Sequence, residues 1–346
     1  MEIIERLPEF NNHRIIVFLS DFKSGLKGFI AIHRGGLLRP AFGATRLWKY
    51  CSELEALKDA LKLSQIMSYK SAIHRLNYGG AKGVIMSTSQ SINKNFLLRS
   101  YAKKVNYLSG HFITGADIGL TQKDVKIMRR ESPFFVGTKY DPAEFTALGI
   151  FYALFACLEK VFGNEQLSER TFAIQGLGKI GMEFLKLIYK NSKKIFISDI
   201  DHLKIKSAKK IFPNIQPVKP SEIHKYPVDV FSPCALSNSI TLKNVSQLRC
   251  KIIIGGANNQ LENDKVEKIL YKSGILYAPD FVVNAGGLIS VVDEVEHKYY
   301  NRKRVNNRVA KIRRTLQEIL KKSEEKSQPP YLIAKEMAEK IFKKYE

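Results

Sequence analysis

Cysteine is scarce and unpatterned in this chain of 346 residues, which has four: Cys51, Cys157, Cys234 and Cys250. No two form a C-x-x-C pair and all sit among apolar residues. That excludes a disulfide scaffold or a zinc ribbon and fits the reduced thiols of a cytoplasmic protein. The seven histidines lack ligand spacing, so no metal is expected. Met1-Glu2-Ile3-Ile4-Glu5 lacks the basic-then-apolar order of a secretory leader. The longest apolar run, Ala147 to Leu158, falls short of the ~20 residues of a membrane span, and a soluble protein is expected. Repeats and low-complexity tracts are missing as well. Acidic residues are in deficit, 33 against 56 Lys and Arg, for a net charge of +23 and a pI of about 9.7. Such an excess raises nucleic-acid binding. The basic residues are nevertheless spread along the chain, with mild enrichment at Arg302-Lys303-Arg304 and Arg313-Arg314, and no aromatic-interleaved basic motif accompanies them. A lysine-rich solvated surface accounts for the charge.

What is present is organised around Ser52 to Lys82. Ser52-Glu53-Leu54-Glu55 is a capping box, in which Ser52 accepts from the Glu55 N–H and Glu55 reaches back. Leu54, Leu57, Leu61, Ser64 and Met67 recur at helical spacing and predict a buried face. Off its end come Tyr69-Lys70 and then Gly79-Gly80-Ala81-Lys82. Lysine beside apolar surface is a poor stabiliser, because its pKa falls on desolvation or next to another cation. A lysine so treated becomes a base near neutral pH. Upstream, Ile15–Leu19 and Gly28–Ile32 flank Ser24-Gly25 as a hairpin. Gly35-Gly36 and Pro40 then punctuate a loop before Phe42-Gly43-Ala44-Thr45-Arg46. Downstream, Val84–Met86 reads as a strand and Asn95–Leu108 as a helix. Phe112–Thr114 is a strand ending in Gly115-Ala116-Asp117, which aims an acid from a strand end.

Length predicts two domains. Asp141-Pro142-Ala143-Glu144 opens a long apolar helix to Phe162, with proline at its first position, and marks the boundary: 1–140 and 141–327, the first completed by 328–346. In the second domain a buried strand, Thr171–Gln175, runs into Gly176-Leu177-Gly178-Lys179-Ile180-Gly181, a full G-x-G-x-x-G. A helix follows, then a strand ending at Asp199, eighteen residues past the last glycine. That order is the dinucleotide-binding fingerprint. The glycines allow a tight turn and close approach of pyrophosphate to the helix N-terminus. Asp199 suits ribose hydroxyls and repels a 2′-phosphate, favouring NAD over NADP. Val228–Phe231, Ile252–Ile254 and Leu276–Ala278 continue the alternation and end in small or amide residues. A basic helix from Arg302, a break at Ser327-Gln328-Pro329-Pro330 and a last helix, Tyr331–Tyr345, close the chain.

Tyr69-Lys70, Gly79 to Lys82, Thr114 to Gly119, Ser232 to Leu236, Ala257 to Leu261 and Ala278 to Gly287 make the chain resemble the Glu/Leu/Phe/Val amino-acid dehydrogenases. The likeness covers nearly its whole length and is greatest to the leucine branch. It implies an α/β substrate domain and a Rossmann-type doubly wound NAD domain, separated by a catalytic cleft that closes on substrate, in homo-oligomers from dimers to octamers. It further implies that Lys70 binds the substrate α-carboxylate, Lys82 is the base that activates water, and Asp117 exchanges protons with the amino group. Thr146 and Asn258 match cofactor positions near the nicotinamide and its ribose, Asn284 lies near the same ring, and Ala235 matches a further cofactor-binding position. Phe42, Gly43, Gly115, Leu288 and Val291 match the side-chain pocket. Gly115 and Leu288 resemble the phenylalanine enzymes, and an apolar substrate is expected, with aromatic amino acids at least equal to leucine. The chain departs from the leucine pattern at Val136, usually Thr, and in a shorter Gly137–Asp141 segment. Gly83 after Lys82 resembles the glutamate branch, but Phe42 and Leu288 offer no cation for an acidic side chain. The alternative from another class is a basic, nucleic-acid-associated NAD-binding protein without the chemistry, which leaves the survival of Lys70, Lys82 and Asp117 unexplained.

Overall fold

The computed structural model describes residues 2–35, 39–87, 93–139, 141–297 and 299–342. Gly36 of the expected Gly35-Gly36 turn lies outside them, as do residues 343–346 of the expected last helix. The chain divides into two compact units: Met1–Asp141 with Glu294–Tyr300 and Ile341–Glu346, and Pro142–Asp293 with Asn301–Lys340.

In the first unit a short α1 (Glu2–Glu5) precedes β1 (Ile15–Asp21), β2 (Leu26–Arg34), β3 (Ala41–Trp48), α2 (Glu53–Ile73), β4 (Gly79–Met86), α3 (Lys94–Tyr107), β5 (Phe112–Ala116) and α4 (Gln122–Arg129). The strands form one sheet in the order β1-β2-β4-β3-β5. β1 and β2 are the expected hairpin, paired antiparallel from Ile15↔Ile32 to Asp21↔Leu26. β2 is also antiparallel to β4, whereas β3 lies parallel to both β4 and β5. α2 starts as its cap dictates. Ser52 Oγ accepts from Glu55 N–H at 3.1 Å, while the Glu55 carboxylate accepts from Cys51 N–H at 2.7 Å, one residue before the expected donor. The buried stripe of α2 runs through Ala56, Leu57, Ala60, Leu61, Ser64 and Ser68; Leu54, expected in it, sits in the first turn at 48% exposure. Small residues in that stripe let α2 lie almost on β4. A Cβ on Gly80 would stand 2.0 Å from the Ser68 amide nitrogen.

The second unit opens with α5 (Pro142–Phe162). The helix extends the apolar run at both ends and is long and apolar enough to cross a membrane by length and composition. Its buried residues, among them Phe145, Ile150, Leu154 and Cys157, mark it as a core helix. There follow β6 (Thr171–Gln175), α6 (Lys179–Ile188), β7 (Lys194–Ser198), α7 (His202–Ile211), β8 (Gln216–Pro217), β9 (Val230–Pro233), β10 (Ile252–Ile253), α8 (Asp264–Lys272), β11 (Leu276–Tyr277), α9 (Asp280–Val283), α10 (Gly286–Glu296), α11 (Arg302–Lys326) and α12 (Pro330–Phe342). The sheet is parallel throughout, in the order β11-β10-β9-β6-β7-β8. Renumbered within the unit this is 3-2-1-4-5-6 read from β8, the doubly wound topology, with its switch point between β6 and β9.

The expected break after α11 is present: Ser327 takes φ 51° and Pro330 starts α12. Residues 328–346, assigned above to the substrate domain, divide. The helix as far as Lys340 clusters with the second unit, because Glu267 accepts from Tyr331 N–H at 3.1 Å and the Tyr331 ring packs on Phe281 and Tyr277. Ile341 and Phe342 cluster with the first, where the Phe342 ring stacks on Tyr69 with centroids 5.8 Å apart. All four cysteines are free thiols.

Candidate active site

Side chains alternate across a strand, so strand register decides which of the first unit's polar groups meet. Ala41, Thr45, Ala81, Ile85, Phe112 and Thr114 face α3: the apolar ones share a core with Tyr101, and Thr45 Oγ1 bonds both Tyr101 OH and Thr114 Oγ1. The intervening residues therefore face α2. Ala44 pairs with Lys82 and with Gly115, giving one row across β4, β3 and β5. Phe42 pairs with Gly80 and Ile113 in the row before it. Arg46 pairs with Val84 in the row after it, and Asp117, one residue beyond β5, donates its N–H to Thr45 O and falls beside Arg46. Gly43 belongs to the opposite face and contributes only backbone here. Lys70 is buried in the last turn of α2, the helix over this face.

Lys82 Nζ is 2.5 Å from Asp117 Oδ2. The same oxygen accepts from Arg46 Nε at 3.0 Å, Arg46 NH1 donates to Asp59 Oδ2 at 2.9 Å, and Tyr50 OH donates to that oxygen at 2.6 Å. Lys82 is 3% exposed and Arg46 8%. Burial drives the Lys82 pKa below its ordinary value; Asp117 opposes this and the Arg46 cation adds to it. Burial also pushes Asp117 upward, but the charges of Lys82 and Arg46 outweigh it and hold the carboxyl well below its ordinary range. The principal cation acting on Lys82 is thus Arg46, and not Lys70 as expected. Arg46, Asp59 and Tyr50 had no place among the expected site residues. Period-two spacing from Phe42 through Ala44 points to Arg46; nothing comparable points to Asp59.

Phe42 is fully buried, its ring edge-on to Tyr78 with centroids 5.2 Å apart at 87°. Tyr78 is half-buried, so of the two rings it is the one that keeps exposed surface. A Cβ on Gly115 would meet the Val136 carbonyl oxygen at 3.1 Å, so the backbone there leaves little room for a side chain. Leu288 and Val291 lie one turn apart on α10, hence on one face, in the second unit.

The second unit gathers the other expected residues at the carboxyl ends of its strands. Gly176 (φ 97°) follows β6 and donates its N–H to Ser198 O at 2.7 Å. A Cβ on Gly181 would stand 2.0 Å from Gly176 O, so this glycine is required by packing. A Cβ on Gly178 would meet nothing within 4 Å. Glycine there serves no protein contact, and the open space above the N-terminus of α6 fits a pyrophosphate. Asp199 accepts from Leu177 N–H and Asp201 N–H at 2.7 and 2.9 Å, with Lys204 Nζ at 3.8 Å. Ala235 abuts Gly176. Asn284 donates to Asn258 Oδ1 at 3.0 Å, while its own buried Oδ1 has no partner, an acceptor suited to a carboxamide. Thr146 donates to Pro142 O at 3.0 Å beside Gly287. A cavity of about 380 Å³ elsewhere in this unit, reaching Glu267 and Tyr277, contains none of these residues.

A doubly wound nucleotide fold joined to a unit carrying a buried lysine–aspartate pair defines a two-domain α/β dehydrogenase. Two family models match the chain: the Glu/Leu/Phe/Val dehydrogenase dimerisation domain over residues 14–133, and the glutamate/leucine/phenylalanine/valine dehydrogenase domain over residues 197–344. Leucine dehydrogenase of Bacillus cereus is 35% identical over 345 residues, covering 98% of this chain and 93% of its own. L-tryptophan dehydrogenase of Nostoc punctiforme is 40% identical over 299 residues, covering 85% and 84%. The crystal structure of the Nostoc punctiforme enzyme superposes with a TM-score of 0.80 at 36% identity over 96% of each chain. The chain belongs to the Glu/Leu/Phe/Val dehydrogenase family, amino-acid dehydrogenases that use nicotinamide cofactors.

Proposed function

We propose that the protein oxidatively deaminates an apolar L-amino acid with NAD, reversibly, to the 2-oxo acid and ammonia. The observation that carries this is the Lys82–Asp117 pair, with the buried Lys82 in one row with the half-buried Ala44 and Gly115. Lys70 supplies the cation for the α-carboxylate. Asp117 takes a proton from the substrate ammonium, so that the amine nitrogen can push electrons toward the α-carbon. Lys82, deprotonated, then removes a proton from the water that adds to the imino carbon. Asp117 returns a proton to the nitrogen of the carbinolamine, the C–N bond breaks, and the hydroxyl proton released as the carbonyl forms leaves with the ammonia as ammonium. Both proton carriers must be poised, which is the use of a lysine below its ordinary pKa.

The glycine loop Gly176–Gly181, Ala235 and Asp199 would hold the pyrophosphate and adenosine ribose. Thr146, Asn258 and Asn284 would hold the nicotinamide end. Bound there, the cofactor supplies the acceptor for the hydride that leaves the α-carbon. Asp199 supports NAD by charge, since its carboxylate would repel a 2′-phosphate.

Within the first unit, the Phe42–Tyr78 aromatic pair and the glycine at position 115 support an aromatic substrate at least as good as leucine. Edge-to-face aromatic contacts are worth roughly 0.5–1.5 kcal/mol beyond area burial, so preference should be partial and leucine should overlap. Similarity to an enzyme named for L-tryptophan agrees with this. The reduced thiols fit the cytoplasm, and the match to a dimerisation domain fits a homo-oligomer. Reduction of NAD and of NADP, measured separately with each of twenty L-amino acids at alkaline pH, tests the reading. NAD with Phe, Trp or Leu should dominate. No turnover of any amino acid defeats it, and equal kcat/KM with both cofactors removes the role given to Asp199.

A further inference from the structure

We propose that Arg46, braced by Asp59 and Tyr50, is a positioning residue of this reaction: it fixes Asp117 against Lys82 and governs the proton held between them. The inference deepens the dehydrogenase reading and rests on it.

Four charged side chains from four places in the chain alternate in sign here: Lys82, Asp117, Arg46 and Asp59. Each link is a hydrogen bond of 2.5 to 3.0 Å. Buried ion pairs are weak stabilisers compared with well-packed apolar groups, so stability alone is a poor reason to keep them. Their geometry has a clearer use. Asp117 Oδ2 accepts from Lys82 and Arg46 together, which pins the carboxylate that must give and take a proton. Arg46 reaches two carboxylates because its donors diverge from a rigid plane; a lysine offers only a point charge. Asp59 and Tyr50 hold the far side of that plane, so Arg46 cannot swing away when Asp117 is briefly neutralised.

Arg46 is also the cation that opposes a proton on Lys82, whereas Asp59 and Asp117 favour one. Titratable groups are also carried by the elements packed around Lys82. α2 holds Lys70 in its last turn, Tyr50 precedes α2 and bonds Asp59, and β2, whose Ala31 pairs with Lys82, carries His33 two residues on, with the His13 ring 4.8 Å from it. Burial holds His13 and His33 down to about 4 and about 2, so both stay neutral at working pH. Apart from Lys70, the charges set around Lys82 are therefore those of the network itself.

Lys82 must be deprotonated to act as base, so activity falls as pH drops through its pKa. Arg46→Gln removes the opposing cation and should move this acid limb of kcat/KM upward by about one pH unit, with kcat lowered. Asp59→Asn removes an acid that favours the proton and should move the limb downward. Arg46→Lys keeps the cation and loses the fork, so the limb should stay near its original pH while kcat falls. A merely structural Arg46 would change thermal stability or expression and leave all three limbs aligned. If Arg46→Gln does not fold, Asp59→Asn carries the test. Limbs that coincide with the unaltered protein, or an Asp59→Asn limb displaced upward, overturn the proposal while leaving the dehydrogenase reading standing. Failure of the unaltered protein to oxidise any amino acid strikes the reading instead.

Discussion

The first unit assembles its reactive groups from charged side chains contributed by β3, α2, β4 and the end of β5. The second presents backbone amides, glycines and carboxamides at strand ends, with Asp199 as the one carboxylate among its expected cofactor residues. The contrast follows from what each unit must do. Moving protons needs groups whose charge states are poised by burial and by one another. Gripping a nucleotide needs donors already fixed by the fold, and a helix N-terminus beside an open glycine provides them at no cost in titration. One unit is thus sensitive to the charge of a neighbour, the other to a single methyl group.

The largest break in this comparison should come from Lys82→Ala. It removes the proposed base and leaves the glycine loop untouched, so turnover should fall 10²–10⁴-fold while binding of the proposed cofactor NAD, followed by fluorescence titration, stays within about twofold. A variant retaining more than roughly a tenth of the rate would displace Lys82 from its role. Gly181→Ala should do the converse. Its Cβ would stand 2.0 Å from the Gly176 carbonyl, and overpacking of this kind costs about 1–3 kcal/mol. NAD affinity should drop about 5- to 100-fold, with amino-acid protection of the first unit in hydrogen exchange unchanged; loss of both would mean the loop does more than hold nucleotide.

The smallest effect sharpens the contrast through stability. His13 and His33 have folded pKa values depressed to about 4 and about 2 from 6.5. Their contribution is complete above pH 6.5 and is lost as the pH falls toward those folded values, when the unfolded chain alone binds the protons. Glu267 in the second unit goes the other way, raised by burial from 4.5 to about 7. Its contribution is complete below 4.5 and is lost as the pH rises through about 7. Hydrogen exchange should show β1 and β2 weakening toward about pH 5 and α8 with the start of α12 weakening toward about pH 8, by on the order of 2 kcal/mol. Glu267→Gln should flatten the second trend and leave the first, which would fail if the two trends disappeared together.

These two sites differ equally in how they are written in the chain. The nucleotide loop is a local object: strand, three glycines, helix, strand and acid follow one another between Thr171 and Asp199, so spacing alone discloses it. The capped start of α2 is local too, and only its Cys51 contact and exposed Leu54 depart from expectation. The proton network joins residues 46, 59, 82 and 117, which no local pattern connects. It exists because Ala44, Lys82 and Gly115 share a row of the sheet, and register is a property of pairing, not of any one segment. The cation that strand pairing brings beside the Lys82–Asp117 pair is Arg46, two residues after Ala44 on β3. The apolar run from Ala147 understated α5, since amphipathic ends lengthen a core helix beyond its greasiest stretch. The tail divided between units because Glu267, sixty-four residues upstream of Tyr331, caps α12.

β3 carries Phe42, assigned to the proposed side-chain pocket, and Arg46 in the ionic chain, two steps apart on a single pleated face with Ala44 between them. Substrate choice and proton chemistry are consequently written in the same reading frame. Inserting or deleting one residue between positions 42 and 46 would turn one set of side chains to the opposite face of the sheet, scrambling both functions at once. Divergence at this strand is open to substitution and closed to changes of length, so new specificities here must arise by exchanging side chains at fixed positions.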